Sequence, residues 1–166
     1  IPTSIGDAWN YGDAAEDTAI YDRIEVVRGA NGLMTGAGDP GATVNMVRKR
    51  ADSKTATGNI SASYGSWNTQ RYVADVSTPL NSDGSLRGRV VTGYQDQDSW
   101  LDRYHKTKKF LYGVVDADLT DHTTVSLGWD YQKTNTGNPT WGGLASLYSN
   151  GTRTHYDRST NSAADW

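Results

Sequence analysis

Asp22-Arg23-Ile24-Glu25-Val26-Val27-Arg28-Gly29-Ala30-Asn31-Gly32-Leu33-Met34-Thr35-Gly36-Ala37-Gly38-Asp39-Pro40-Gly41-Ala42-Thr43-Val44-Asn45-Met46-Val47-Arg48-Lys49-Arg50 is the stretch from which the rest of the chain is read. Ile24 and Val26 alternate with charged residues, and Val44, Met46 and Arg48 repeat the alternation, so two short strands flank a loop. Five glycines fall in the thirteen residues from Gly29 to Gly41. Such density calls for backbone in conformations closed to side chains, or backbone packed closely against something else.

Within the loop, Gly36-Ala37-Gly38-Asp39-Pro40-Gly41 is a formal match to the dinucleotide fingerprint. That fingerprint has to open a helix, with an acidic ribose partner further on. Pro40 interrupts the motif, the residues after it read as strand, and no acidic partner stands at the end of a second parallel strand. A structural glycine loop is the reading that fits.

Composition narrows the classes. The formal charge of −3 offers no basic face to nucleic acid, and the absence of cysteine excludes a disulfide scaffold and a thiolate metal site. No run of about eighteen apolar residues exists for a membrane helix. Alternating strands of a membrane barrel remain possible, because half their residues face a polar lumen. Six Trp and ten Tyr against one Phe is the composition that membrane interfaces and sugar-like or chelate ligands both select.

Taken in order, Asp13 to Ile20 predicts one short helix, with Asp13 and Glu16 at capping-box spacing and Ala14, Ala15 and Ala19 favouring it. Trp9 and Tyr11 then sit in the preceding loop, either packed on the domain's own core or facing a ligand. Ala51 to Thr57 is a polar connector that divides residues 1–52 from residues 53–166. Beyond it come five alternating strands, at about 58–65, 69–79, 86–96, 108–119 and 123–133, each near the ~9–11 residues that cross a bilayer. Val125, Leu127, Trp129 and Tyr131 alternating with Ser126, Gly128, Asp130 and Gln132 give the clearest case. Asn81-Ser82-Asp83-Gly84 and Asp121-His122 are tight turns, whereas Asp96 to Thr107 and the residues after Thr134 are long and aromatic, the pattern of short inner turns and long outer loops. Five strands cannot close a barrel, so the expectation is a segment of a larger one.

Chemistry is sparse. His105, His122 and His155 lack metal-ligand spacing, no serine lies in a nucleophile elbow, and no carboxylate pair stands out, so neither an enzyme nor a metal site is expected. Arg23 and Glu25 share a strand face and Arg28 follows at the mouth of the loop; an exposed charged face is the simple account of them. Trp100, Tyr104, Trp141 and Tyr148 are rings in the long loops, where Gly142-Gly143 leaves Trp141 unshielded. Trp67, Trp129 and Tyr131, near strand ends, suit an interfacial belt.

Asp-Arg-Ile-Glu-Val-Val-Arg-Gly, Gly-Leu-Met-Thr-Gly and Val-Asn-Met-Val-Arg-Lys-Arg, in that order and at tight spacing, resemble the end of the plug domain of TonB-dependent outer-membrane siderophore receptors. Tyr64-Gly65-Ser66-Trp67-Asn68, Asp98-Ser99-Trp100-Leu101-Asp102-Arg103-Tyr104 and Pro139-Thr140-Trp141-Gly142-Gly143-Leu144 are most similar to the receptors for ferric coprogen and related hydroxamates. The resemblance implies a mainly β fold, with residues 1–52 as the C-terminal part of a mixed α/β plug and residues 53–166 as the first antiparallel strands and outer loops of a 22-stranded transmembrane β-barrel. It implies a Gram-negative outer-membrane location, with outer-membrane lipid and lipopolysaccharide around the barrel. It also implies a ferric siderophore as ligand, the iron carried within that ligand and no other cofactor, and energy from the TonB-ExbB-ExbD complex through a segment preceding Ile1. Trp9, Tyr11, Trp100, Tyr104, Trp141 and Tyr148 become ligand candidates, and Arg23, Glu25 and Arg28 plug–barrel contacts whose barrel glutamates lie outside this chain. Three other readings stay open: a soluble β-sandwich carbohydrate-binding module, a small closed barrel, and a related receptor for another nutrient.

Overall fold

The computed structural model describes residues 17–28, 42–140 and 143–163. Strands β1 (Tyr21–Arg28) and β2 (Ala42–Arg48) form an antiparallel pair. Strands β3 (Thr57–Gly65), β4 (Thr69–Pro79), β5 (Leu86–Asp98), β6 (His105–Thr120) and β7 (Thr123–Gly137) form a five-stranded meander in sequence order, every neighbour antiparallel. Among the described residues β3 and β7 each pair on one side only, which leaves two open edges. The two strands expected on either side of the glycine loop and the five alternating strands therefore match the observed elements, and the loop from Gly29 to Gly41 lies outside the described residues.

Three strands run further than hydrophobic alternation indicates. β5, β6 and β7 extend at the long-loop end to the pairs Asp98↔His105 and His105↔Gly137. Polar residues such as Gln97, Asp98, Lys106 and Thr134 fill that extension, so the apolar period stops while the hydrogen-bond ladder goes on. The expected helix through Ile20 does not form over its last part. Asp17 is extended, with φ −73° and ψ 130°, and caps a three-residue 3-10 turn at Thr18–Ile20. Its own N–H is donated to Gln132 on β7, so that group is withdrawn from any helical ladder. Asp13 to Glu16, Trp9 and Tyr11 lie outside the described residues.

One face of the large sheet carries the core. Val91, Phe110, Tyr112 and Val114 are buried there against Ile20, Tyr21 and Ala51, with Ala19, Met46 and Val73 packed alongside. Phe110 stands directly across from Gly93. A Cβ built on Gly93 would come within 2.5 Å of the Phe110 ring, and the Arg71 guanidinium lies 5.9 Å from the ring's centroid. The missing side chain of Gly93 is thus the space in which the ring lies flat on the sheet, an arrangement in which an aromatic covers a strand glycine.

Gly93→Ala is expected to push the Phe110 ring off the sheet and to destabilise the fold by about 1–3 kcal/mol, the usual range for overpacking. A denaturation midpoint unchanged from the parent would show that the ring has room to move.

Candidate functional site

The strand register places the functional side chains in rows across the sheet. Asp75 on β4, Val91 on β5, Tyr112 on β6 and Asp130 on β7 are mutual neighbours in one row. Arg71, Gln95 and Lys108 form a parallel row nearer the long loops, and Arg87 pairs with Asp116 nearer the tight turns. These side chains share the face that carries the core. Carboxylates in strand centres are unusual, and they persist here because each finds a cation.

The cations come largely from the chain leaving β2. Arg48 Nη1 donates to Asp130 Oδ1 at 2.7 Å, Lys49 Nζ to Asp75 Oδ2 at 2.8 Å and Arg50 Nε to Asp116 Oδ2 at 3.0 Å. Extended backbone sends successive side chains to opposite sides, so Arg48 and Arg50 reach β7 and β6 while Lys49 reaches β4. Main-chain bonds fix the same segment: the Tyr112 hydroxyl donates to Lys49 O at 2.6 Å, Ala51 N to Asp116 Oδ2 at 2.8 Å and Arg87 Nε to Ala51 O at 2.8 Å. Arg89 holds Asp75 with two bonds of 2.8 Å, which leaves that carboxylate shared between Arg89 and Lys49.

Asp17 makes the second attachment. Its oxygens accept from Arg71 Nη2 at 2.7 Å and Nη1 at 2.8 Å, a planar fork on a side chain only 3% exposed. Burial by itself raises the Asp17 carboxyl, but the bonds from Arg71 and from the Ala19 N–H, with the charges of Arg71 and Lys108, outweigh it and hold the group below its ordinary value.

Arg23 and Glu25 sit elsewhere. Arg23 Nε donates to Glu25 Oε1 at 2.7 Å, Asn45 Nδ2 donates to Glu25 Oε2 at 2.8 Å, and the Arg23 and Glu25 side chains are exposed. The ladder has a register shift between Tyr21 and Arg23, which pair with Arg48 and Val47. Tyr21 is buried, whereas from Asp22 to Val27 the side chains on both faces of β1 are exposed, Arg23 and Glu25 among them. Arg28 pairs with Ala42 through the backbone, and its side chain lies outside what is described. Among the described residues the two sheets are joined instead through Asp17 and the Arg48-Lys49-Arg50 run, neither of which the sequence reading singled out. The available signal was the run itself, three consecutive cations, facing inward carboxylates on three separate strands.

The opposite face has no such partners. Ile60, Val76, Val90, Leu111, Val115, Val125 and Leu127 are exposed there, and Trp129 stacks on Tyr131 with centroids 6.4 Å apart. Gly88 and Gly113 leave an apolar groove of about 460 Å³ between Val76, Leu80, Val115 and Leu127. Tyr64, Tyr72 and Tyr94 edge this band toward the long loops, with the Tyr94 hydroxyl donating to Asp96 at 3.0 Å.

Past the tyrosines the outer connections are tied together by Asn161. Its Nδ2 donates to Asp102 O and to Asn138 O, both at 2.9 Å, and Asp102 N donates to Ser159 O at 2.8 Å. Arg103 and Asn138, beside those acceptors, adopt positive φ of 63° and 50°. Trp100 is exposed and Tyr104 half-buried in the connection so held; Tyr148 is exposed in a small hairpin closed by the Leu147↔Arg153 bridge. No ring contact joins these three among the described residues, and Trp141 lies outside them.

Scanned against protein-family models, the chain matches none. It is 49% identical over 152 residues to the ferric-pyoverdine 358 receptor of Pseudomonas putida, a match covering 90% of this chain and 18% of that receptor. The solved pyoverdine outer membrane receptor FpvA of Pseudomonas aeruginosa PAO1, bound to pyoverdine, superposes on 93% of this chain and 23% of its own with a TM-score of 0.82 at 40% identity. The alcaligin outer-membrane receptor FauA of Bordetella pertussis superposes on 78% of this chain and 22% of its own, with a TM-score of 0.69 at 44% identity. The chain thus spans about a fifth of the length of these relatives. They are receptors for pyoverdine and alcaligin by name, and the narrower likeness to coprogen receptors is not supported by them.

Asp17→Asn is expected to weaken the attachment by roughly 3 kcal/mol, at the lower end for breaking a buried pair because Arg71 is partly exposed. The pH dependence has a definite sign. A carboxyl whose folded value is depressed stabilises fully above its unfolded value of about 3.9 and loses that contribution as pH falls through the folded value. The protection of amides at residues 17–21 and 46–51, taken as the ratio of the intrinsic to the observed exchange rate at each pH, should therefore fall below about pH 4 in the parent. In Asp17→Asn that protection should be lower already at neutral pH, with a smaller acid step; identical profiles would place the attachment elsewhere.

Proposed function

We propose that this chain, homologous over nine-tenths of its length to outer-membrane ferric-siderophore receptors, supplies the end of the plug and the first barrel strands of such a receptor. Residues 1–52 belong to the plug and residues 53–166 to the barrel wall. One observation carries the reading. The five-stranded sheet binds the β1–β2 unit through ion pairs on one face and presents an unpartnered apolar band edged by tyrosines on the other. A barrel wall between lipid and a polar interior needs those two faces. A β-sandwich module would bury the apolar face under a second sheet.

The ligand is a ferric siderophore of the pyoverdine class, in keeping with the relatives, in place of the coprogen type. Its iron is already saturated by the siderophore's own oxygens, so the receptor contributes rings and hydrogen bonds and no catalytic step. Trp100, Tyr104, Trp141 and Tyr148 in the outer loops, with Trp9 and Tyr11 of the plug, are the contact candidates, and Asn161 positions the loop that bears Trp100 and Tyr104. Uptake draws on the TonB-ExbB-ExbD complex. Arg23, Glu25 and Arg28 remain contact candidates for barrel strands beyond those in this chain.

Ferric pyoverdine titrated into the full-length receptor should quench its tryptophan fluorescence, and Trp100→Ala or Trp141→Ala should weaken binding by about 1–2 kcal/mol, roughly five- to thirtyfold. A parent that ignores ferric pyoverdine while binding a vitamin or sugar would move the protein to another nutrient. Equal affinity in parent and variants would remove these rings from the site.

A further inference from the structure

The hairpin of β5 and β6 closes on the pair Asp98↔His105, and the connection between them bears Trp100 and Tyr104. His105 Nδ1 lies 2.9 Å from Asp98 Oδ1, and its Nε2 lies 3.5 Å from Asp96 Oδ2 on the same strand. The Tyr94 hydroxyl donates to that second oxygen at 3.0 Å. Asp96, Asp98 and His105 stand on the outward side of the sheet, past the row of Tyr72 and Tyr94 and therefore beyond the apolar band. Side-chain exposures of 46% and 47% leave His105 and Asp98 open to proton exchange with solvent.

A neutral imidazole cannot serve both contacts. It carries one N–H and one lone pair, so donation to either carboxylate turns the lone pair on the other. An imidazolium offers an N–H to each acid and places its charge between them. The other groups around the ring are neutral or directed elsewhere. Gly137 stands opposite His105 on β7, with Asn135 as the next outward residue, and Gln70 stands beside Asp96 on β4. Lys106, next along β6, belongs to the opposite face, and Lys109 and Lys133 lie further toward the band. Within the connection, Asp102 accepts from Ser159 Oγ at 3.0 Å and Arg103 Nη2 donates to Ala163 O at 2.9 Å. The bond to Asp98 is the largest influence on the ring; with the charges of Asp96 and Asp98 it outweighs slight desolvation, and His105 is raised above its ordinary value of 6.5.

We infer that His105, as an imidazolium held between Asp96 and Asp98, positions the connection that bears Trp100 and Tyr104, and that loss of its proton loosens this part of the ligand site; the inference rests on the assignment of those rings to the siderophore. The bracket lies at the base of the connection, where the last rung of the ladder meets the turn. Without the cation, two carboxylates on one strand face repel each other, and the ring's lone pair faces one of them. A group whose folded value is raised contributes fully below its unfolded value and loses that contribution as pH rises through the folded one. The bracket therefore holds fully below about pH 6.5 and opens as pH rises through the higher folded value. Siderophore affinity follows it downward.

The test titrates the full-length receptor in detergent with ferric pyoverdine from about pH 5 to about pH 9, across the histidine transition, with the histidine rings isotope-labelled for NMR. In the parent, the His105 ring should titrate above the ordinary histidine value. Over the same range the protection of amides at residues 98–105, taken as the ratio of intrinsic to observed exchange rate, should fall, and affinity should drop about two- to fivefold, the scale of an exposed ion pair. His105→Gln should bind with the weaker affinity throughout and His105→Lys with the tighter one throughout, both without the step. Asp96→Asn should move the ring's midpoint down. Ionisation of the siderophore itself is common to parent and variants and cancels between them. A ring that titrates at or below the ordinary value overturns this role for His105, as does a His105→Gln receptor that keeps the parent's step. A parent that binds no ferric pyoverdine at any pH fails the ligand assignment; the amide protection then decides the role of His105 by itself, a step lost in His105→Gln upholding it and the absence of a step overturning it. A melting midpoint equal to the parent's confirms that the variants are folded.

Discussion

Asp116 cannot stay where it is without Arg50. Its side chain is 2% exposed on β6, and an ionised carboxylate at that depth costs several kcal/mol unless a cation and hydrogen bonds compensate it. Arg50 Nε and the Ala51 N–H meet on one of its oxygens, and they come from the segment that crosses the sheet from β2. Asp75 and Asp130 repeat the relation with Lys49 and Arg48. The sheet and the crossing segment therefore specify one another: three carboxylates at fixed positions accept three consecutive cations in a single register. A shift of that segment by one residue would aim each cation at the wrong side of the chain.

Much of this was legible in the sequence because period-two alternation survives wherever one face is apolar. The outward series Val125, Leu127, Trp129 and Tyr131 located β7. The same signal failed where both faces turn polar, so the ends of β5, β6 and β7 extend beyond it. It also missed the bulge at the start of β1. Tyr21 before the shift is buried, while the side chains after it, from Asp22 to Val27, are exposed on both faces. Nothing in the side-chain types announces that shift. The charged seam escaped for another reason: a cation run at a strand end and single aspartates in three distant strands look like solvated surface until the register aligns them. Asn161 is a harder case still, since one amide joining Asp102 and Asn138 leaves no periodic trace.

The two faces of the sheet solve opposite problems with the same alternation. Inward positions carry charge of both signs, and each cation of the seam is matched to a carboxylate or a main-chain carbonyl. Outward positions carry aliphatic side chains through the middle and tyrosines toward the loops, so hydroxyls such as that of Tyr94 reach polar partners while their rings stay with the band. Gly93 serves the inner face: the space it leaves accepts Phe110, and that ring in turn lies beside the guanidinium that binds Asp17.

Ion pairs are a poor choice where stability alone is wanted, since well-packed apolar residues in their place are often neutral or stabilising. What they supply is discrimination, because a misplaced segment leaves buried charges uncompensated, whereas a misplaced apolar contact loses only area. The matched pairs accordingly fix where the Arg48-Lys49-Arg50 segment lies on the sheet, while the apolar cluster of Ile20, Tyr21, Val91, Phe110 and Tyr112 provides the cohesion that keeps it there.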